Sequence, residues 1–245
     1  MDILEANLQN TNRHPWEISR ANSVIKILKQ NDPATTQYAD IGAGDLFFTK
    51  QLTHITNMPV FAVDINYNDL NNTDKIVKQR EIEKIPPNSI DYATVLDVIE
   101  HVKEEDVFVN AICRILKDQG RIIITVPAHQ FLFYSHDVFL KHYRRYNKKQ
   151  LVSLLNKNGF EVEETFYFYS LLFVIRCFQV LLSKIYIFNN NVQGIGNWNA
   201  PENNVRTVLI TRFLNMDFSI NRFFAKKGIN LWGLSLCAIC RKKYA

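Results

Sequence analysis

The sequence predicts an α/β fold: a doubly wound, mostly parallel sheet with helices on both faces. From residue 38 onward, short β-rich runs alternate with longer helical patterns, as in folds where helices connect parallel strands. The runs at 93–96 and 122–126 are almost continuously apolar, as expected of strands covered on both faces. With 245 residues, of which 47% are hydrophobic, the chain is long enough for one sizeable core and predicts a single domain.

The elements follow from these runs in chain order. Residues 15–30 have apolar side chains along one side of a helix, which predicts a helical cover at the N-terminus. Two apolar helical stretches precede the last strand, which predicts a helical insertion, and the polar stretch 189–204 predicts a loop. The strands are placed at 38–42, 60–65, 90–98, 121–127, 160–169 and 230–241. The predicted divisions are the cover (14–35), the core (38–165), the apolar insertion or lid (166–228) and the last strand (229–245).

The composition argues against several classes of protein. The net charge is only +5, with 29 basic residues set against 24 acidic ones, so nucleic acid is not an expected partner. The four cysteines lack the paired spacing of a metal site, so we expect buried thiols in a reduced, cytoplasmic setting and no metal ligands. Residues 1–14 lack the basic and apolar blocks of a secretory signal.

The most informative motif is Asp40-Ile-Gly42-Ala-Gly44-Asp45, which follows an apolar strand and precedes a helical pattern. Glycines at such a turn let the backbone bend sharply and approach a ligand closely. Asp64 ends the second strand, where a carboxylate can accept hydrogen bonds from both ribose hydroxyls of an adenosine. The spacing therefore predicts a nucleoside site.

Position 47 distinguishes two kinds of nucleoside site. A dinucleotide fingerprint has a third small residue there, whereas this chain has Phe47, whose bulk would obstruct the pyrophosphate seat. Asp40, before the glycines, could instead receive the ammonium group of a methionine moiety. Adenosine joined to an amino acid fits this motif better than a nicotinamide dinucleotide.

Over residues 14–165 the chain resembles the class I methyltransferases that bind S-adenosylmethionine, especially the bacterial subgroup labelled type 11 or type 12. The resemblance implies a Rossmann-like, doubly wound, mostly parallel seven-stranded sheet, with S-adenosylmethionine as the cofactor. A weaker similarity continues into the final strand. The segments that carry the resemblance over residues 14–165 are HPWEISRA (14–21), DIGAGDLFF (40–48), FAVDIN (61–66), IPPNSIDYATVLDVIEHV (85–102) and LKDQGRIIITVP (116–127).

The resemblance assigns cofactor-binding residues by position. Gly42 and Gly44 would line the cofactor backbone, with Asp40 near its amino group. Asp97 would face the methionine end. The remaining candidates are Asp64 and Ile65 at the ribose, and Glu81 and Ile82 at the edge and face of the adenine. The chain departs from the pattern at Leu46, where the family commonly has glycine.

Three histidines are candidates for a catalytic base. His101 follows Glu100 in the third matching segment, and it could remove a proton near the transferred methyl group or orient the loop. The orienting role is favoured, because methyl transfer from a sulfonium needs alignment more than proton removal. His136 and His142 lie in an unusual segment after the fifth family strand, in the region of substrate-facing loops.

The same segment contains candidates for substrate binding. Two adjacent arginines flanked by tyrosines predict an anion clamp, since guanidinium groups bind phosphate and carboxylate with two parallel hydrogen bonds. The alternative is a structural role, in which an arginine pairs with Asp137 or Glu17 and the tyrosines pack. The four candidates are Tyr143, Arg144, Arg145 and Tyr146.

Residues 169–188 are apolar enough to raise the question of a membrane span. Arg176 interrupts the run at its centre, where a charge is costly in a bilayer, so we expect no span. The remaining apolar face is expected to form a buried lid, with peripheral membrane contact as the alternative.

The function hypothesis is transfer of the methyl group of S-adenosylmethionine to a small-molecule, lipid-linked or glycan acceptor. The alternative is a non-catalytic protein that keeps the fold and binds a nucleoside or a membrane.

Overall fold

The computed structural model describes residues 12–30, 33–185, 198 and 200–244. The strands are β1 (Tyr38–Ile41), β2 (Val60–Val63), β3 (Ile76–Gln79), β4 (Ile90–Leu96), β5 (Leu116–Pro127), β6 (Phe160–Phe168) and β7 (Ser235–Lys242). The helices are α1 (Pro15–Leu28), α2 (Phe47–Leu52), α3 (Glu105–Ile115), α4 (Ser135–Phe139), α5 (Lys148–Lys157), α6 (Ser170–Ile185) and α7 (Val205–Lys226).

The seven strands form one sheet in the order β3-β2-β1-β4-β5-β7-β6. The first five strands are parallel, while β7 runs antiparallel to both of its neighbours, β5 and β6. This arrangement confirms the predicted doubly wound, mostly parallel α/β fold. Because β1 lies between β2 and β4, the chain leaves β1 in one direction and later returns on its other side. A crevice for a ligand opens at the carboxyl ends of strands where the order reverses in this way.

Several predicted strands end one or two residues too late, and three larger differences separate the structure from the sequence prediction. β3 was not among the placed runs, because its four residues are all half-buried and include Lys78 and Gln79, so it lacks a strong apolar signal. β5 already begins at Leu116, and its first residues extend the pairing with β4 before a register shift. β7 begins at Ser235, five residues later than placed, and the preceding residues form a loop.

Two hydrophobic clusters pack on the opposite faces of the sheet. One cluster includes Ile112 of α3 and Leu151 of α5, and the other includes Val24 of α1 and Phe218 of α7. α1 begins with Pro15 at its first position, and the side chain of His14 accepts a hydrogen bond from the backbone of Trp16. α1 and α7 pack against each other, and α7 also packs on β6. The N-terminal helix therefore lies on the sheet beside the helical insertion.

The two helices of the insertion are tied at the start of α6. Asp217 of α7 accepts hydrogen bonds from the backbone N–H groups of Tyr169 (2.6 Å) and Ser170 (3.1 Å). On its outer face, α6 exposes Leu171, Val174 and Phe178. Most of the loop expected at 189–204, and residues 186–188 of the apolar run, lie outside the described residues. In the described part of the chain, every helix is too short or too polar to cross a membrane.

Candidate active site

A large cleft opens at the carboxyl ends of β1, β2 and β4. Its volume is about 1390 Å³, which exceeds the roughly 300–1,000 Å³ typical of a site for one small ligand. Gly42 and Asp64 line one end, whereas Arg145 and Arg176 line the other. The cleft therefore has room for a nucleoside cofactor and an acceptor side by side.

The turn after β1 brings backbone to the edge of the cleft. Gly42 has a φ of +77°, and its N–H donates to the carbonyl of Val63 at 2.8 Å, which ties the turn to β2. A Cβ at position 42 would lie 2.2 Å from Cγ2 of Val98. Gly44 also has a positive φ, of 52°. The predicted glycines thus stand where the backbone conformation and the close approach of Val98 favour glycine.

Asp64 is oriented by two backbone hydrogen bonds. One carboxylate oxygen accepts from the N–H of Gly44 and the other from the N–H of Asn66, both at 2.9 Å. Each oxygen keeps lone pairs that can accept a hydroxyl hydrogen. Ile65, which is 81% exposed, lines the same part of the cleft. This geometry suits a carboxylate that holds a ribose between flanking apolar surface.

Three further cofactor candidates, Glu81, Ile82 and Asp97, also line the cleft. Glu81 and Ile82 line the cleft beyond Ile65. Asp97 follows β4 with a φ of +55°, and it accepts a hydrogen bond from Thr125 Oγ1 at 3.0 Å and pairs with Arg20. Arg20 reaches this position from α1, so the N-terminal helix contributes directly to the cleft.

Asp40 lies beneath the turn and does not line the large cleft. Its carboxylate is buried and accepts hydrogen bonds from Thr49 Oγ1 (2.6 Å) and Thr94 Oγ1 (3.0 Å). Burial raises the pKa of Asp40 to about 6, although the two hydroxyls counteract part of that effect. The Asp40 side chain therefore joins β1 to Thr49 of α2 and Thr94 of β4, where the sequence predicted a contact with the cofactor's amino group.

The three candidate histidines all line the cleft, on the side that holds Arg145 and Arg176. The rings of His101 and His142 meet edge to face with centroids 4.6 Å apart. Nδ1 of His142 lies 2.9 Å from a carboxylate oxygen of Asp137. Burial, followed by the nearby charge of Arg176, lowers the pKa of His136 to about 4. His136 is therefore neutral near pH 7 and keeps a lone pair that can accept a proton.

Glu100 is a further group at this end of the cleft. Its side chain is fully buried, and burial, followed by the charge of Asp97, raises its pKa well above the ordinary value. Among the described residues, neither of its carboxylate oxygens has a hydrogen-bond partner. Its backbone carbonyl accepts from the N–H of Tyr143 at 2.8 Å. This bond joins the turn after β4 to the segment that carries His142.

The four candidate substrate-binding residues separate into two pairs. Tyr143, which is 55% exposed, and Arg145 line the cleft. Arg144 and the hydroxyl of Tyr146 both donate to Glu105, at 2.5 and 2.7 Å, on the other side of the backbone. Arg145 donates from Nε to Asp137 at 2.7 Å, which is the pairing weighed as an alternative for one of the arginines.

Arg176 is a cleft residue that the sequence analysis did not assign to the site. It projects from α6, and its Nη2 lies 3.8 Å from the Asp137 carboxylate that Arg145 also contacts. Its guanidinium lies over the ring of Tyr134, 5.5 Å from the centroid. An arginine at the centre of an apolar helical run was the available signal, because a buried charge in such a run requires a partner or a ligand.

Comparison with known proteins identifies the family to which the chain belongs. The model of a methyltransferase domain matches residues 18–165, which is more than half of the chain. A protein of Mycolicibacterium smegmatis, whose name assigns it to the S-adenosylmethionine-dependent methyltransferases, is 32% identical over 83 residues. That match covers 33% of this chain and 32% of the relative, so the chain aligns with about a third of the relative's length.

Solved structures share the fold at low sequence identity. A phosphoethanolamine N-methyltransferase of Haemonchus contortus in complex with S-adenosylmethionine has a TM-score of 0.55 and 18% identity, covering 91% of this chain and 52% of that one. A candidate sarcosine dimethylglycine methyltransferase of Galdieria sulphuraria has a TM-score of 0.58 and 14% identity, covering 96% and 92%. The [4+2]-cyclase SpnF is equally similar, with a TM-score of 0.58 and 13% identity, covering 97% and 86%.

A cyclase among these structures means that the fold alone does not define a reaction. The family model matches the stretch that contains the glycine turn, Asp64 and Asp97, the positions that carried the resemblance. The chain therefore belongs to the class I S-adenosylmethionine-dependent methyltransferases, whose cofactor is S-adenosylmethionine.

Proposed function

We propose that this chain transfers the methyl group of S-adenosylmethionine to an acceptor that has an anionic group beside an apolar part, as in a lipid-linked or phosphorylated glycan intermediate. The observation that carries the proposal is the pair Arg145 and Arg176, which share one buried carboxylate, Asp137. Two guanidinium groups around one carboxylate leave a net positive charge at the acceptor end. Phosphate and carboxylate groups are the natural complement of such a site.

Apolar side chains lie next to the two arginines. Leu140, Leu172 and Ile175 line the cleft on the same side as Arg176, and Leu172 and Ile175 belong to the same helix, α6. An acceptor with a hydrocarbon part could bury that part here while its anionic group binds the guanidinium groups. The Haemonchus contortus enzyme offers a parallel, since its structure contains phosphomonomethylethanolamine, which carries a phosphate.

The proposed chemistry is an in-line displacement, in which an acceptor oxygen, nitrogen or carbon forms a bond to the methyl carbon while its bond to sulfur breaks. Asp64 would hold the ribose, and the pair of Asp97 with Arg20 would face the methionine end. His101, His136 or His142 would take the acceptor proton where one is released. The apolar side chains that line the cleft would limit the access of water, and the cleft would align the two reactants.

Peripheral membrane contact through residues 169–188 belongs to the same proposal. Leu171, Val174, Phe178 and Leu181 are exposed on α6, next to the helix positions that line the cleft. A lipid-linked acceptor would then reach the cleft from a membrane surface on which α6 rests. Cosedimentation with vesicles of phosphatidylglycerol and phosphatidylcholine tests this contact. Binding by the wild type that is lost in the double variant Phe178→Ser, Leu181→Ser supports the contact, and equal binding by the wild type and the double variant contradicts it.

The acceptor class is tested with two probes that differ only in the anionic group. Decyl phosphate and decanol are titrated calorimetrically into the protein saturated with S-adenosylhomocysteine. We expect decyl phosphate to bind at least tenfold more tightly, and Arg176→Gln to abolish the difference. Arg212→Gln, on the exposed face of α7, is the matched control and should behave as the wild type.

Equal affinity of the wild type for the two probes would exclude the anionic acceptor. Turnover is measured separately as S-adenosylhomocysteine released in the presence of phosphorylated and lipid-linked glycans. Binding of cofactor and acceptor without any release would favour the non-catalytic alternative.

A further inference from the structure

Three side chains at the acceptor end have the composition of a metal site. Glu100, His101 and His142 each offer one ligand atom, and these atoms all lie within 4.8 Å of one another. Atoms ligating one ion at about 2.0–2.2 Å are separated by no more than about 4.4 Å, so a small contraction would complete the set. All three residues line the cleft, where a bound ion would be accessible to a ligand.

Glu100 is the most informative member of the set. It is fully buried, and neither carboxylate oxygen has a hydrogen-bond partner among the described residues. Buried carboxylates are ordinarily paired, hydrogen-bonded or bound to a metal, because a lone one is costly. A bound cation would supply the partner that both oxygens lack among the described residues.

The backbone holds the three residues together. Glu100 and His101 belong to a single turn, Ile99–His101, directly after β4. The N–H of Tyr143 donates to the carbonyl of Glu100 at 2.8 Å, which fixes the neighbouring His142 against that turn. The edge-to-face packing of the two imidazoles then sets the orientation of their rings.

His142 also has the support that metal-binding histidines ordinarily have. Asp137 is buried, and it is held by Arg145 and by the backbone N–H of Tyr134 (3.0 Å), so its carboxylate accepts hydrogen bonds. Nδ1 of His142, at 2.9 Å, is therefore the protonated nitrogen, and Nε2 keeps its lone pair. A carboxylate that fixes the tautomer of a ligating imidazole is a recurring feature of metal sites.

We propose that Glu100, His101 and His142 bind a divalent transition-metal ion such as Mn²⁺, Fe²⁺, Co²⁺ or Zn²⁺ at the acceptor end of the cleft. Two imidazoles and one carboxylate suit these ions and leave coordination positions open. An acceptor oxygen could occupy an open position, which would orient it and promote loss of its proton. His136 then remains as the candidate base, since the other two histidines bind the metal.

The test is direct metal binding by this chain after treatment with a chelator. Co²⁺ is added without cofactor or acceptor, and its visible absorption is followed together with calorimetry. We expect one equivalent to bind, with affinity reduced at least 100-fold in Glu100→Gln and in His101→Ala. His54→Ala, at an exposed histidine outside the cleft, is the matched control and should bind as the wild type.

Thermal melts keep the test decisive if a variant folds poorly. Glu100→Gln places a neutral amide of the same shape at this buried position, so the metal-free variant should melt no lower than the metal-free wild type, while Co²⁺ should raise the melting temperature of the wild type and leave that of Glu100→Gln unchanged. Absence of saturable binding of one equivalent by the wild type, or unchanged binding by Glu100→Gln, would overturn the proposal. Binding of S-adenosylhomocysteine is measured in parallel, so that loss of the metal site is distinguished from loss of the cofactor site.

Discussion

Leu46 has a backbone conformation that glycine adopts more readily than leucine. Its φ of +67° and ψ of +13° lie in the left-handed region, at the residue that precedes α2. This is the position where the family commonly has glycine, and the structure supplies the physical reason. The Leu46 side chain packs on the small cluster around Tyr67, and those contacts counteract part of the backbone strain.

Two substitutions at position 46 separate the strain from the packing. Leu46→Ala and Leu46→Gly both remove the packing, but only glycine also relieves the left-handed strain. We therefore expect the glycine variant to be more stable than the alanine variant by about 1 kcal/mol. Urea denaturation of the two variants measures the difference. Equal stabilities would show that the turn is not strained.

The buried carboxyl of Asp40 makes stability depend on pH. Its pKa of about 6 in the fold lies above the ordinary value of 3.8, so the folded state binds the proton more tightly. The stability that this provides is complete below pH 4 and is lost as the pH rises through 6. The full difference corresponds to roughly 3 kcal/mol. In Asp40→Asn this component is absent.

Denaturation of Asp40→Asn and the wild type at pH 4.5, 5.5 and 7 tests the sign. The stability of the wild type should decrease relative to the variant across this range, and the difference should be constant above pH 7. A relative increase would mean that the hydroxyls of Thr49 and Thr94 hold Asp40 ionised.

At the scale of single residues, local spacing determines what the sequence predicts. Gly42 and Gly44 follow β1, and Asp64 follows β2. Because β1 and β2 are parallel neighbours, the ends of the two strands lie side by side, so this proximity follows from the strand order. The pairing of Arg176 with Asp137, and the approach of His142 to Glu100, bring together segments that are distant in the chain. No periodicity in either segment encodes such a contact, so it becomes visible only in the folded chain.

At the scale of elements, the attachment of α6 depends on one side chain. Asp217, on α7, accepts hydrogen bonds from the backbone N–H groups of Tyr169 and Ser170 at the start of α6. N–H groups in the first turn of a helix have no acceptor within that helix, so Asp217 caps α6. Asp217→Ala should cost about 1–2 kcal/mol, as loss of a helix cap does. Because α6 carries Arg176, the change should also loosen the acceptor end of the cleft.

Hydrogen exchange measures this effect at the level of the helix. We expect faster exchange in residues 170–180 of Asp217→Ala, with little change in β4 and β5. Ser219→Ala, at an exposed position of the same helix, is the control. Uniformly faster exchange across the sheet would mean that Asp217 stabilises the whole domain instead of α6.

The elements also show which strands a pattern predicts. β4 and β5 are covered on both faces and contain long apolar runs, so both strands could be predicted from the sequence. β3 lies at the edge of the sheet and is half-buried throughout, so its own four residues do not form a comparable apolar run. β3 is therefore defined by its pairing with β2 more than by its own residues, whereas β6, at the other edge, has the apolar and aromatic residues that predicted it.

At the scale of the whole molecule, cofactor binding and folding stability are linked. The turn after β1, Asp64 after β2 and Asp97 after β4 come together only in the folded sheet, so a ligand that bridges them binds the folded state alone. At a concentration one hundred times its dissociation constant, such a ligand stabilises the fold by about 2.7 kcal/mol.

We therefore expect S-adenosylmethionine and S-adenosylhomocysteine to raise the melting temperature of the wild type, and NAD to leave it unchanged. Asp64→Ala should lose most of the shift, because the ribose hydroxyls lose their acceptor. Each protein is compared with its own ligand-free melt, so any loss of stability from the two backbone hydrogen bonds of Asp64 cancels. Asp69→Ala, at an exposed aspartate of the loop after β2, should retain the full shift. A full shift in Asp64→Ala would show that another residue binds the ribose. The absence of a shift in the wild type would show that the cofactor does not bind in this cleft.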